Sequence, residues 1–261
     1  MENWVEKVFA IGDVHGHYER LMELLTKWNP ATEQLLFVGD YIDRGPQSLD
    51  VLRKVKELHD QHGAIALMGN HEEIFLQWLR EPVIYAQHFV NVGGSSTIHS
   101  FLGSPIATMP SITEIAEKIQ IQYPELIDFI CRLPYYSTWE DVIFVHAGID
   151  PYVKDFKETA VHDFLWIRDE FTQFPHMAKE KVVFGHTPSL YLHSNGSSNV
   201  WLSECGKKIG IDGGVNEARG RLNGIVLSKG SNEIIVHSVM ANDTSTTIMQ
   251  LPKIQHSLDW T

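Results

Sequence analysis

The sequence is poor in cysteine, in basic runs and in long apolar stretches. Its two cysteines, Cys131 and Cys205, form no CxxC pair. That excludes a disulfide framework and a thiolate metal site, and it predicts two inert, buried or partly buried thiols in a reducing cytoplasm. The formal charge is −12, without a cluster of lysine and arginine. A protein that tracks a nucleic-acid backbone needs a positive face, so stable nucleic-acid binding is not expected. The overall charge does not argue against a small anion gripped locally. No apolar run approaches the ~20 residues of a membrane span, and "MENWVEKVFAIGD" lacks the basic start and long apolar core of an export signal. A cytoplasmic protein without membrane attachment is the expectation. Internal repeats and low-complexity segments are also missing.

What is present is an ordinary globular composition of 43% hydrophobic and 21% charged residues over 261 positions. This suits a single domain, 1–261, with one sizeable core. Five short apolar runs each stop at glycine or histidine: "KVFAIGD", "QLLFVGD", "AIALMGNH", "DVIFVHAG" and "KVVFGHT". Each reads as a buried strand that opens into a loop at its C-terminal end. Between the early ones, "YERLMELLTKW" sets Leu21, Leu24, Leu25 and Trp28 on one helical face, and "SLDVLRKVKELHD" repeats the pattern after Pro46. The alternation predicts an α/β fold with a largely parallel, helix-flanked sheet. About 72–134 reads as a mainly helical insertion or cap, broken at "NVGGSST" and "GSPIATMPS". From Trp201 onward, "KKIGIDGG", "LNGIVLS" and "NEIIVHSV" suggest a second sheet of mixed or antiparallel strands.

The polar groups at the ends of the five runs form a chemical set. They are Asp13 and His15, then Asp40, Asp43 and Arg44, then Asn70 and His71, then His146 and His186. Carboxylates, imidazoles and an amide, with no thiol, suit divalent ions such as Mn²⁺, with Fe or Zn²⁺ as alternatives. In open sheets, ligands bind just past the carboxyl ends of the strands. Taken singly, "DVH", "HAG" or "GHT" carries little. Five such segments in order, each after an apolar run, point to one two-metal site.

The ordered set GDVHG, GDYIDRG, GNHE, HAG and GHT resembles the phosphoprotein phosphatase family of metallophosphoesterases, and within it the short bacterial and phage serine/threonine phosphatases. The match runs from about Phe9 to Gly214, and "VNVGGSSTIHSF" and "FLWIRDEF" add to it. The resemblance implies a calcineurin-like metallophosphoesterase fold, a two-sheet β-sandwich flanked by helices. It implies that Asp13 and His15 bind a first metal, that Asp40 bridges two ions, and that Asn70, His146 and His186 complete the second. His71 matches the family's catalytic histidine, paired with Asp43. Arg44 matches a phosphate-binding arginine, and Arg168 is the candidate for a second.

The implied reaction is hydrolysis of phosphoserine or phosphothreonine in a protein or peptide by a metal-activated water, with His71 protonating the leaving alkoxide. The alternative is a dinucleoside tetraphosphate hydrolase on the same site. Glu72 and Asp43 favour the phosphatase branch, and no paired aromatic platform for two nucleotides is visible in the sequence. A catalytically silent scaffold is disfavoured because no ligand of the set is missing. His17 reads as a helix-start surface residue, Asp212 of "GIDGGV" as loop support, and the scattered histidines as surface residues. Oligomeric state is not legible.

Overall fold

The structure is a computed structural model that describes residues 6–103, 111–241 and 243–252. All five apolar runs form strands: β1 (Lys7–Ile11), β2 (Glu33–Phe37), β3 (Ile65–Ala66), β5 (Val142–Val145) and β6 (Lys181–Phe184). The remaining strands are β4 (Tyr136–Trp139), β7 (Trp201–Leu202), β8 (Lys208–Gly210), β9 (Leu222–Ser228), β10 (Glu233–Val239) and β11 (Thr244–Gln250). They make two sheets, ordered β11-β10-β9-β1-β2-β3 and β4-β5-β6-β8-β7. The strands that carry the motifs pair in parallel, β1 with β2 and β2 with β3 in one sheet, β5 with β6 in the other.

The late strands correct the expectation of a separate second sheet. β9 pairs antiparallel with β1, and β10 and β11 follow it, so all three extend the first sheet. Only β7 and β8 join the sheet built on β5 and β6. Strand-forming composition identifies a strand but carries no information about which edge it will pair with.

Alternation along each strand divides the core into layers. Val8 and Ala10 of β1 face between the sheets, where they meet Leu36, Phe144, Val183 and Ile225. Phe9 and Ile11 point the other way, toward α1 (Tyr18–Leu25) and α2 (Ser48–His62). The outer face of the second sheet, with Ile143, Val145, Val182 and Phe184, is covered by Phe164 and Phe171. These belong to α8 (Val161–Trp166) and α9 (Asp169–Gln173). Both faces of each central strand are therefore covered, which is why the runs are apolar throughout rather than alternating.

The stretch read as a helical insertion holds α3 (Asn70–Arg80), α4 (Pro82–Asn91), α5 (Gly94–Leu102), α6 (Ile112–Gln122) and α7 (Pro124–Cys131). Ile74, Phe75, Trp78, Phe89 and Phe101 share one buried cluster with Phe9 and Leu52. Most of the break at "GSPIATMPS" and all of the C-terminal "KIQHSLDWT" lie outside the described residues. The short helix α10 (Ser189–Leu192) follows β6. Among the described residues no helix is long and apolar enough to cross a membrane. Both cysteines are free and exposed, against the expectation of buried thiols. Cys131 ends α7, and Cys205 sits in the turn between β7 and β8.

Candidate metal centre

The loops that leave the five parallel strands meet where the two sheets adjoin. The backbone there is strained. Of the six described non-glycine residues with positive φ, five are His15, Asp40, Asp43, Arg44 and His186. Such conformations cost on the order of 1–3 kcal/mol each and persist where the surroundings fix them. The fixing bonds are on hand. The carbonyl of Asp40 accepts from the backbone N–H groups of Val14 and His15 at 3.0 and 2.9 Å, and that of Tyr41 accepts from Gly16 at 2.8 Å. The Glu72 carboxylate, buried in the first turn of α3, accepts from the backbone N–H groups of Gly69, Asp40, Tyr41 and Ile42. One side chain thus ties the loop after β2 to the helix that carries Asn70 and His71.

Two glycines are forced by close approach. A Cβ on Gly69 would stand 2.3 Å from Asp40 Oδ1, and one on Gly185 would stand 2.0 Å from Asp13 Oδ1. The sequence placed Asn70 and His71 at a strand end. They are instead the first residues of α3, because β3 stops at Ala66 and Gly69 turns the chain into the helix.

Asp40 is the centre of the set. Its Oδ2 lies 3.4 Å from His15 Nε2 and 3.8 Å from His71 Nε2, while its Oδ1 lies 3.3 Å from His146 Nε2. Two groups of potential metal donors result, His15–Asp40–His71 and Asp40–His146–His186, and they share this one carboxylate. Asn70 Oδ1 is 2.9 Å from both His146 Nε2 and His186 Nδ1. Asp13 stands outside both groups. Its Oδ2 accepts from the backbone N–H of His186, and among the described residues its Oδ1 is buried with no hydrogen-bond partner, as is His186 Nε2.

The protonation pattern makes the case for cations. His146 Nδ1 faces the Val38 carbonyl at 2.9 Å, and His15 Nδ1 faces the Ile42 carbonyl at 2.9 Å. A carbonyl only accepts, so each Nδ1 carries the proton and each neutral ring turns the Nε2 lone pair inward. For His146 that lone pair meets Asn70 Oδ1 and Asp40 Oδ1, which are acceptors as well. A lone pair that faces two acceptor oxygens suits a positive ion, even though Asp40 Oδ1 also accepts from the His71 backbone N–H at 3.2 Å.

Burial drives the pKa of His15, His146 and His186 down, which keeps these rings neutral. Burial together with the charges of Asp212 and Asp40 drives Asp13 well above the usual carboxylate range. Asp212 is pushed up to about 6, mainly by burial with a contribution from Asp40. His71 differs from the other rings. Burial lowers its pKa, but Asp40 and Asp43 outweigh burial and raise it overall. Its Nδ1 is 2.7 Å from Asp43 Oδ2.

The structure brings together all ten residues singled out in the sequence. Arg44 lies between the two rings of the first group, with Nη1 3.1 Å from His15 Nε2 and Nη2 3.0 Å from His71 Nε2. Arg168 stands at the opening, with Nη1 donating to the His186 carbonyl and to Thr187 Oγ1. Asp212 supports its loop as expected, accepting from the Gly214 N–H at 2.8 Å, and it also faces the buried carboxylates. His17, half-buried, lies 3.0 Å through Nε2 from Asn216 Oδ1.

Sequence reasoning missed Thr97, whose hydroxyl donates to Asp43 Oδ1 at 2.6 Å. It also missed the bond from Trp166 Nε1 to Glu73 Oε2 at 2.7 Å. Both sit inside stretches marked for resemblance, "GGSST" and "FLWIRDEF", and that was the only signal available.

A sequence profile described as Calcineurin-like phosphoesterase matches residues 6–216. The chain belongs to that family. A symmetrical bis(5'-nucleosyl)-tetraphosphatase of Nitrosospira multiformis is 31% identical over 146 residues, covering 55% of this chain and 44% of that protein. An asymmetrical bis(5'-nucleosyl)-tetraphosphatase of Halalkalibacterium halodurans is 30% identical, covering 53% of this chain and 56% of its own. This chain spans about half the length of the curated relatives it matches. Among solved structures, a provisionally named diadenosine tetraphosphatase superposes with a TM-score of 0.63 at 21% identity, over 93% of this chain and 97% of its own. These likenesses fit a metallophosphoesterase with two sheets flanked by helices.

Proposed function

We propose that this chain hydrolyses phosphoanhydride bonds of dinucleoside polyphosphates, using two divalent ions held across Asp40. One observation carries the two-metal part of the reading: the two oxygens of a single buried carboxylate face separate sets of imidazoles. Asp13 and His15 would hold one ion with Asp40, and Asn70, His146 and His186 would hold the other. The orphaned Asp13 oxygen and the converging lone pairs fit that assignment. The donor set suits Mn²⁺, Fe or Zn²⁺.

Bound there, the ions supply Lewis acidity and an activated water. The protein's own residues do the rest. Arg44 leaves the two imidazoles and forks onto phosphoryl oxygens, and Arg168 offers a second fork from the opening. His71 gives a proton to the departing oxygen, while Asp43 fixes the ring through Nδ1 and Thr97 fixes Asp43. Electrostatic clamping supplies most of the acceleration.

The nucleotide substrate follows the names of the relatives. A second reading, hydrolysis of phosphoserine or phosphothreonine, draws on the His71–Asp43 pair. A strong general acid matters most when the leaving group is an alkoxide, and least when it is a phosphate already stable as an anion. Turnover of diadenosine tetraphosphate and of a phosphothreonine peptide, compared at one free Mn²⁺ concentration, separates the two. We expect a higher kcat/KM for the dinucleotide. A tenfold preference for the peptide, about 1.4 kcal/mol in transition-state binding, would reverse the assignment of substrate and leave the metal assignment standing.

A further inference from the structure

Trp166 ends α8 immediately beside the metal centre. Its ring meets that of His186 edge to face, with centroids 6.1 Å apart and planes at 81°. The indole N–H is tied to Glu73, two residues beyond His71, so the ring is anchored to the helix that carries the proposed acid. The ring is not fully buried. His162, one helical turn earlier, lies nearly parallel to the indole at 6.2 Å and 19°, with a side chain 76% exposed. His88, an exposed residue of α4, approaches it at 6.4 Å and 34°. Arg168 follows two residues after Trp166 on the same segment.

A tryptophan placed only for packing would be covered by aliphatic neighbours. This one is half-buried, packed on the main core along one side, with its polar edge satisfied and two exposed imidazoles beside it. The carboxylate of Glu73 holds the indole edge and that of Asp163 lies beside His162, and both repel phosphate. A neutral flat ring suits the platform, while the phosphates of the same molecule suit the metals and arginines.

We propose that Trp166, with His162 and His88 beside it, is the stacking platform for a nucleobase of the substrate. The inference rests on the nucleotide reading above and deepens it by assigning the base its place. Stacking on an aromatic face accepts any base, so the platform selects nucleotides over simple phosphates without reading base identity.

The test uses the full chain loaded with Mn²⁺, as wild type and as Trp166→Ala, Trp166→Phe and His162→Ala. Two quantities are measured: kcat/KM for diadenosine tetraphosphate against inorganic tripolyphosphate, and inhibition by AMP against inorganic phosphate. In the wild type, AMP should inhibit at least fivefold more tightly than phosphate. In Trp166→Ala that ratio should collapse. The variant's loss on the dinucleotide should exceed its loss on tripolyphosphate by about 5- to 100-fold, carried mainly by KM. Trp166→Phe should recover most of the difference, and His162→Ala should show a smaller selective loss.

Equal losses on both substrates would make Trp166 a residue that merely positions His186, and would overturn the proposal. So would a wild-type enzyme that binds AMP no better than phosphate. Failure of the wild type to cleave the dinucleotide while it cleaves a phosphopeptide would instead defeat the nucleotide reading, and the platform with it. If Trp166→Ala does not fold, His162→Ala decides: a loss selective for the dinucleotide supports the platform, and equal losses on both substrates overturn it.

Discussion

His71 and Asp43 lie 2.7 Å apart, and Thr97 holds the far oxygen of the carboxylate at 2.6 Å. A ring so held is suited to carry a proton, whereas His15, His146 and His186 are kept neutral by burial. Replacing His71 with Asn should therefore leave bound metal in place and lower kcat by on the order of 10²–10⁴ for an alkyl phosphate. The loss should shrink for 4-nitrophenyl phosphate, whose leaving group needs little protonation. Equal losses on the two substrates, with metal content checked by elemental analysis, would leave His71 a positioning residue only. His71 was legible in the sequence because it follows an apolar run within a tetrapeptide of known pattern. Thr97 was not, since its partner lies 54 residues away and a hydroxyl in "GGSST" has no local mark.

Among the elements, α3 depends on Glu72. Its carboxylate is the sole side chain that joins the backbone of Gly69 to that of Asp40, Tyr41 and Ile42 among the described bonds. Replacement with Gln turns an amide –NH₂ toward two of those N–H groups. Leaving them buried and unsatisfied should cost on the order of 3 kcal/mol, read as a lowered calorimetric Tm with weaker metal retention. A change under 1 kcal/mol would show that the loop after β2 holds its shape without this tie.

The segment after α9 offers a second element-scale test. His176 is buried against Phe171, and burial, with Lys207 and Lys208 nearby, drives its pKa down to about 4. The unfolded chain takes up a proton near pH 6.5 that the folded chain refuses. The stabilisation is thus fully present above about pH 6.5 and is lost as pH falls toward 4. At pH 5 the penalty is on the order of 2 kcal/mol. His176→Leu should flatten the decline in urea midpoint between pH 7 and pH 5 relative to wild type, and parallel declines would contradict the assignment. Nothing in "FPHMAKE" marks this histidine as buried, because the stretch lacks any apolar period. The five motif strands were readable from their continuous apolar runs. The pairing of β9 with β1 was not, because edge choice depends on contacts more than 200 residues apart in sequence.

For the molecule as a whole, the notable fact is that a chain of net charge −12 buries Asp13, Asp40, Asp43 and Asp212 in one place. The arginines that reach them, Arg44 and Arg168, number two. Buried carboxylates need compensation, and two divalent ions would supply it. Metal binding should then stabilise the fold as well as activate it, so that chelation lowers both Tm and turnover and Mn²⁺ restores both. The central claim is that both ions depend on Asp40. Its most direct test is the metal content of Asp40→Asn after loading with Mn²⁺ and gel filtration, beside wild type. The account expects close to two ions per wild-type chain and a loss of both in the variant, with kcat falling in step. A variant that keeps one tightly bound ion at unchanged affinity, or a metal-free wild type with full activity, would contradict it.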